Sequence, residues 1–199
     1  ATSFVSHLVS IHEQEFNPYD LDTDFHGLYV TNPKVPVVGV LDLYYLYLAR
    51  NDVAFSGEAG DEDRHTLGTR LFGPIGESIF DYEVELDLQL GEVGAADVYS
   101  WSVASVLGAT LAEDEWKPRL ELMFDYAMGD DDPGDGDANT FNQLFPLGHA
   151  YLGFIDYVGR QNVIHVQSMA AIKPIAPLTL RMDLHYFWRA SDEDALYNA

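Results

Sequence analysis

The stretch Leu178-Thr-Leu-Arg-Met-Asp-Leu-His-Tyr-Phe-Trp-Arg189 decides the fold class, because its apolar and polar residues alternate. One face carries Leu178, Leu180, Met182, Leu184, Tyr186 and Trp188, and the other carries Thr179, Arg181, Asp183, His185, Phe187 and Arg189. A period of two predicts a β-strand. The stretch exceeds the roughly 5–6 residues of a typical strand and reaches the roughly 9–11 that cross a bilayer as a tilted strand. We therefore predict a wall with lipid on one side and water on the other.

The composition excludes several classes of protein. The chain has 199 residues, no Cys and a formal charge of −23 from 33 acidic and 10 basic residues. A length of this order suits one domain, and the lack of Cys excludes disulfides and cysteine-ligated metals. The acidic excess argues against nucleic acid as a partner, which needs a basic footprint. No apolar run approaches the roughly 18 residues of a membrane-spanning helix, so a helical membrane protein is excluded, whereas a membrane β-barrel is not.

The same alternation recurs along the chain and is clearest in the stretch 79–90. Asp81, Glu83, Glu85, Asp87 and Gln89 lie on one side of it, and apolar residues lie on the other. On a helix these acidic residues would spread around all sides and leave no apolar face. We predict strands at 2–13, 25–30, 35–50, 65–72, 79–90, 98–111, 118–128, 162–173 and 178–189. The predicted fold is all-β: an antiparallel up-and-down transmembrane β-barrel with about nine strands in this chain.

The predicted connections alternate in length. Those at 14–24, 51–63, 91–96 and 129–159 are mostly longer and polar, whereas those at 32–34, 73–76, 113–117 and 174–177 are tight. Outer-membrane barrels have short periplasmic turns and longer outer loops, so we expect the chain to start on the periplasmic side. An odd strand count is unusual for a bacterial single-chain barrel. We therefore expect residues 1–199 to form one incomplete barrel domain; the alternative is a strand count wrong by one.

Three stretches resemble the alginate export family of bacterial outer-membrane β-barrels. They are Tyr126-Ala-Met-Gly-Asp-Asp-Asp-Pro-Gly-Asp-Gly136, the segment from Thr140 to Asn162 with its Phe-Asn-Gln-Leu-Phe-Pro and Gly-His-Ala-Tyr blocks, and Phe187-Trp-Arg-Ala-Ser-Asp192. The resemblance is strongest over residues 117–199. It implies a large barrel in the bacterial outer membrane that passes a polar solute. The name-giving member exports the acidic polysaccharide alginate through an arginine-rich pore, and this acidic chain departs from that pattern.

Charged side chains on the polar faces of the strands are the candidate pore lining. Charges on a lipid face would cost about 2–4 kcal/mol for Arg or Lys near the bilayer midplane. The predicted inward residues are Arg70, Asp81, Glu83, Glu85, Asp87, Arg119, Glu121, Asp125, Arg181, Asp183, His185 and Arg189. Their acidic excess predicts a preference for cations. The alternative is that Arg–carboxylate pairs only brace and hydrate the wall.

Two further stretches could carry a function. Asp130, Asp131, Asp132, Asp135 and Asp137 could ligate Ca²⁺ through carboxylate oxygens, although the spacing does not match an EF-hand and a solvated loop is the alternative. The connection from Thr140 to Gly159 is unusually apolar. It either folds into the barrel and narrows it, or extends the flanking strands above the membrane.

The leading hypothesis is an outer-membrane channel with lipid and a polar or charged solute as its partners. The second is a structural barrel with a plugged lumen, whose outer loops bind a protein partner. A soluble ligand-binding barrel would need the apolar faces turned inward. We expect no enzyme, because the sequence has no His-x-x-x-His pair on a predicted helix, no Gly-x-Ser-x-Gly turn and no phosphate-binding Gly loop.

Overall fold

The computed structural model describes residues 1–9, 19–112, 116–147 and 151–198. Within these ranges the chain forms nine strands in one antiparallel sheet, where each strand pairs with the next along the chain. The strands are β1 (Thr2–Val9), β2 (Tyr19–Val35), β3 (Gly39–Phe55), β4 (Glu58–Pro74), β5 (Phe80–Val93), β6 (Ala96–Thr110), β7 (Arg119–Ala127), β8 (Val163–Ile175) and β9 (Leu178–Arg189). In the described ranges, no helix is long enough and apolar enough to cross a membrane.

The predicted all-β, up-and-down fold is confirmed, and the alternation gives the sheet two different faces. Apolar side chains stay exposed on one face, as shown by exposed fractions of 47 % for Leu86, 55 % for Leu122 and 61 % for Met182. The other face is polar, and part of it is buried. The sheet is open, because β1 and β9 form its two edges in the described part of the chain and do not pair with each other. An open sheet is what we expect of part of a larger barrel.

The predicted loop at 51–63 is wrong. β3 and β4 continue through it and meet at a two-residue turn, Ser56-Gly57, with φ values of 52° and 81°. Two positive φ values define the hairpin turn whose twist matches that of the flanking strands. Arg50 lies opposite Glu62 and binds its carboxylate, and after a shift in register the pairing resumes at Val53 and Gly60. Acidic composition therefore did not mark a loop here.

Other predicted connections were also misplaced. The stretch 32–34 belongs to β2, and the turn follows at 36–38 with Val37 at a φ of 72°. The predicted loop at 91–96 shrinks to the two residues between β5 and β6. The predicted alternation of long and short connections therefore fails at two of its long positions. The predicted strand beyond Val9, residues 14–18 of the predicted connection at 14–24 and residues 113–115 of a predicted turn lie outside the described residues.

A long segment, residues 128–162, joins β7 to β8, and we call it the covering segment. Part of it lies against the polar face of the sheet, whereas residues 131–137 are exposed. The backbone of Asn142 accepts a hydrogen bond from Gln89 on β5 and donates one back, at 2.8 and 2.9 Å. Phe141 packs against Ala127 and Val163, where the segment leaves and rejoins the sheet. The described part of the apolar connection predicted at 140–159 thus folds onto the polar face and does not extend β7 and β8.

Candidate functional site

Strand register places all twelve predicted pore-lining residues on the polar face. Residues directly opposite each other in neighbouring strands share a face. Arg70 lies opposite Glu85, and Asp125 lies opposite His165. The pairings from β4 to β9 place all twelve residues on this face: Arg70, Asp81, Glu83, Glu85, Asp87, Arg119, Glu121, Asp125, Arg181, Asp183, His185 and Arg189. Their role in a pore stays a prediction.

One end of the sheet carries the turns at 75–79 and 176–177, and we call it the turn end. Toward this end, three arginines pair with carboxylates. Arg119 donates two hydrogen bonds of 2.7 Å to the two oxygens of Asp81 and a third of 2.7 Å to Glu121. Arg181 donates to both oxygens of Asp183. Further along the face, Arg70 donates to Glu83 at 2.7 Å. These side chains are only partly buried, so water also solvates them.

Strand-interior glycines allow long side chains to cross the polar face. Tyr44 on β3 lies across β4, and its hydroxyl reaches Glu85 and Asp87 on β5, both at 2.6 Å. A Cβ atom on Gly68 would lie 2.0 Å from the Tyr44 ring, so this crossing requires glycine. Gly108 gives Arg119 the same room to reach Asp81. The ion pairs and the Tyr44 contacts therefore depend on glycine positions.

At the opposite end, which we call the covered end, polar side chains are buried beneath the covering segment. Arg64 is fully buried and donates to Glu62 at 2.7 Å and to Gln89 at 3.0 Å. Arg50 shares the Glu62 carboxylate. Gln89 in turn holds the backbone of Asn142. One connected network thus joins β3, β4 and β5 to the covering segment.

A second buried group lies between β7, β8 and β9. Asp125 and His165 are fully buried, and their Oδ2 and Nδ1 atoms lie 2.7 Å apart. The Nε2 atom of His165 lies 3.0 Å from Nδ1 of His185. Arg160 of the covering segment donates to Asp125 at 3.3 Å. The predicted site residues Asp125 and His185 are therefore brought together through His165.

A third group anchors the covering segment to the stretch after β9. The Thr140 hydroxyl donates to Asp194 at 2.7 Å, and the backbone N–H of Asp130 donates to the same carboxylate at 3.1 Å. Ser56 in the β3–β4 turn donates to Asp130 at 2.8 Å. Tyr197 donates to Asp194 at 2.8 Å, and partial burial together with this bond raises the pKa of Tyr197 to about 12.

Several cavities lie between the described part of the covering segment and the polar face, including one of about 430 Å³ over β8 and β9. Another, over β2 to β5, has a volume of about 340 Å³ and is lined by both apolar side chains and carboxylates. A smaller cavity, of about 180 Å³, lies next to it, because both are bordered by Glu85, Tyr151 and Arg160. The smaller cavity also reaches Arg70 and Glu83. The covering segment thus leaves space along the charged face.

The five aspartates predicted as calcium ligands do not converge. In the described residues, no group of three or more His, Cys, Asp or Glu side chains is arranged to hold a metal ion. Asp130 is buried, and its carboxylate accepts hydrogen bonds from Ser56 and from the backbone of Asn139 and Asp132. Asp131, Asp132, Asp135 and Asp137 are exposed. Calcium binding stays a prediction without geometric support.

The fold brings several polar residues into the site that were not predicted from the sequence. Arg64 was left out because the predicted strand began at His65, yet the period of two from Arg70 through Thr66 reaches it. Extending the alternation by two residues would have found it. Tyr44 was missed because its strand shows two similar faces. Its reach across Gly68 depends on the neighbouring strand, which the sequence does not pair in advance.

Comparisons with known proteins give one result that identifies the family. Neither the search of curated proteins nor that of solved structures gives a match to this chain. The model of the alginate export family matches residues 4–199, which is nearly the whole chain. This match confirms the resemblance and extends it from residues 117–199 to the amino-terminal strands. The chain therefore belongs to the alginate export family, a family of outer-membrane β-barrel export proteins.

Proposed function

We propose that this sheet forms part of the wall of an outer-membrane channel and that its polar face lines the lumen. The observation that carries the proposal is the complete separation of the twelve predicted charged residues from the exposed apolar face. A soluble protein rarely leaves so large an apolar face uncovered. In a membrane barrel, the apolar face contacts lipid and the charged face contacts water and solute.

Aromatic side chains on the apolar face support lipid as the partner of that face. Trp101 and Tyr126 stack with ring centroids 4.6 Å apart, and Tyr186 and Trp188 follow on β9. These residues are partly exposed, and they lie toward the covered end of their strands. Tyr and Trp side chains are enriched where a membrane meets water. We therefore assign the covered end of the apolar face to the boundary between the outer membrane and water.

Charge on the lumen face supports a cation-preferring channel. The twelve residues include seven carboxylates against four guanidinium groups. Arg70, Arg119 and Arg181 are each held by carboxylates, so they present little free positive charge. A negative lumen repels anions and concentrates cations. The proposed solute is therefore polar and neutral or cationic, and not an acidic polysaccharide.

Reversal potentials across planar lipid bilayers test the proposal. The reconstituted protein should conduct, and a KCl gradient should give a potential of the sign expected for K⁺ permeation. The double variant Glu85→Gln/Asp87→Asn should lower the cation preference, because two lumen charges are lost. The matched control Glu92→Gln/Asp97→Asn removes the same charge from exposed residues on the opposite face, and it should leave the preference unchanged. Anion preference in the unaltered protein would contradict the proposal.

The plugged barrel is a second candidate, and the buried hydrogen bonds of the covering segment favour it. Fully buried groups such as Gln89 and Thr140 hold this segment against the face. The backbone N–H of Arg160 donates to the Gln143 side chain at 2.8 Å, so residues 144–159 can be excised and replaced by a short linker. A barrel plugged by residues 144–159 would conduct only after this excision. An open channel conducts before it, and the excision raises its conductance.

A further inference from the structure

We propose that the cavity of about 340 Å³ is a binding site for a small organic cation with an apolar body. The cavity, which we call the covered cavity, lies between the covering segment and strands β2 to β5. The proposal rests on the proposed channel only for the route by which such a cation arrives. Binding itself depends on the walls of the cavity.

The apolar wall of the covered cavity comes from both the sheet and the covering segment. Phe25 and Leu46 line it from β2 and β3, and Phe141, Phe145 and Leu152 line it from the covering segment. The rings of Phe25 and Phe145 meet edge to face with centroids 4.9 Å apart. A volume of about 340 Å³ lies within the range of small-molecule sites, which are mostly apolar with a few polar groups. This wall selects a ligand with an apolar body.

The polar wall carries two carboxylates and one guanidinium group, that of Arg160, so its net charge is negative. Glu85 and Asp87 border the cavity, and neither forms a salt bridge with a basic side chain in the described part of the chain. The neighbouring arginines have other partners: Arg70 binds Glu83, and Arg160 binds Asp125. A cation placed between these two carboxylates would gain charge-assisted hydrogen bonds.

The Tyr44 hydroxyl lies between these two carboxylates. Its oxygen lies 2.6 Å from Oε1 of Glu85 and 2.6 Å from Oδ1 of Asp87. A hydroxyl has only one hydrogen to donate, so it can satisfy only one of the two carboxylates. The Ser102 hydroxyl also donates to Asp87, at 3.0 Å, whereas the described residues give Glu85 no donor besides Tyr44. An ammonium group has several donors and can bind both carboxylates, so the proposed ligand places its ammonium group beside Tyr44.

Three small probes of the same shape test this assignment. They are phenethylammonium, 2-phenylethanol and 3-phenylpropanoate, which share a phenylethyl body and differ in the charge of the end group. Binding is measured by calorimetry on the intact protein in detergent, with micelle blanks. We expect phenethylammonium to bind most tightly and 3-phenylpropanoate most weakly. The double variant Glu85→Gln/Asp87→Asn should weaken phenethylammonium binding by about tenfold or more, because charged hydrogen bonds are lost.

Two further variants distinguish a loss of binding in the cavity from a general effect of changing the charge of the protein. Glu92→Gln/Asp97→Asn carries the same charge change on the opposite face and should leave binding unchanged. Phe145→Ala removes part of the apolar wall and should weaken phenethylammonium several-fold, which tests the cavity even if the double carboxylate variant does not fold. Equal binding of the three probes, or undiminished binding by either cavity variant, overturns the proposal. Binding without conductance refutes the channel alone, whereas conductance without binding refutes the cation site alone.

Discussion

The two ends of the polar face hold their charges in different ways. At the turn end, Arg181 pairs with Asp183 while 49 % of the arginine side chain remains exposed. At the covered end, Arg64 pairs with Glu62 and neither side chain is exposed. The pairs have similar distances, 2.8 and 2.7 Å. What differs is the covering segment, which packs over the covered end and excludes water from its ion pair.

This difference decides what each pair contributes. Exposed ion pairs are screened by water, and most contribute less than about 1 kcal/mol. Buried charges depend on their protein partners, and removing one partner costs several kcal/mol. The turn end can therefore change its charges and keep its fold, as suits a surface in contact with solute. The covered end is a structural unit that fixes the covering segment.

Removing the Glu62 charge should have the largest effect. Glu62→Gln leaves Arg64 buried without a carboxylate and also removes a partner of Arg50. The expected loss is about 3–5 kcal/mol of folding free energy, measured by urea titration of the protein folded in detergent or lipid. A loss below about 1 kcal/mol would show that the covering segment does not exclude water from this pair.

The comparison also shows which features of the polar face could be predicted from the sequence. Alternation in 65–72, 79–90, 118–128 and 178–189 placed all twelve charged residues on one face, because in a strand a residue's face follows from its position alone. It could not separate the turn end from the covered end. Which residues become buried depends on a segment that returns to the face by contacts such as Asn142 with Gln89. That segment has no period of its own, so only its apolar content suggested that it folds inward.

Connections were the weakest part of the prediction, for a related reason. The stretch 51–63 is acidic and contains glycine, and both features are typical of loops. The structure keeps it in the sheet because the Arg50–Glu62 pair and the Ser56-Gly57 turn support pairing across the hairpin. These are contacts between residues on two strands. A pattern read along one strand does not contain them.

Filling the space at Gly68 tests how much the crossing of Tyr44 over β4 contributes to the stability of the fold. Gly68→Ala places a Cβ atom 2.0 Å from the Tyr44 ring, which must move away from Glu85 and Asp87. We expect a loss of about 1–3 kcal/mol, the usual cost of overpacking. The matched background is Tyr44→Ala, in which the added methyl group meets no ring. Gly68→Ala should cost much less there, and an equal cost in both backgrounds would place its origin in the backbone and not in the ring.

Removing the Asp183 charge should cost far less than removing the Glu62 charge. Asp183→Asn weakens the pair with Arg181, but the amide oxygen can still accept the hydrogen bond from Gln167. We expect a change of less than about 1 kcal/mol, measured by the same urea titration. High salt should reduce the difference between Asp183→Asn and the unaltered protein, because it screens exposed charges. A loss as large as that for Glu62→Gln would remove the distinction between the two ends.

Alkaline pH tests the last anchor of the covered end, and its effect appears only outside the neutral range. The pKa of Tyr197 rises from 10.0 to about 12 on folding, because the site is partly buried and the hydroxyl donates to Asp194. The folded state therefore holds this proton more tightly than the unfolded state. The associated stability is complete below pH 10 and is lost as pH rises from about 10 to about 12. Water reaches part of Tyr197, which limits the size of the effect.

The measurement is the difference in unfolding free energy between the unaltered protein and Tyr197→Phe, followed from pH 8 to pH 12. Phenylalanine has no proton to lose, so all other alkaline titrations cancel in this difference. We expect the difference to stay constant up to about pH 10 and then to move against the unaltered protein. A difference that stays constant through pH 12 would mean that the Tyr197–Asp194 bond does not anchor the covering segment. The covered end would then depend on Thr140 and Asp130 alone for its attachment to Asp194.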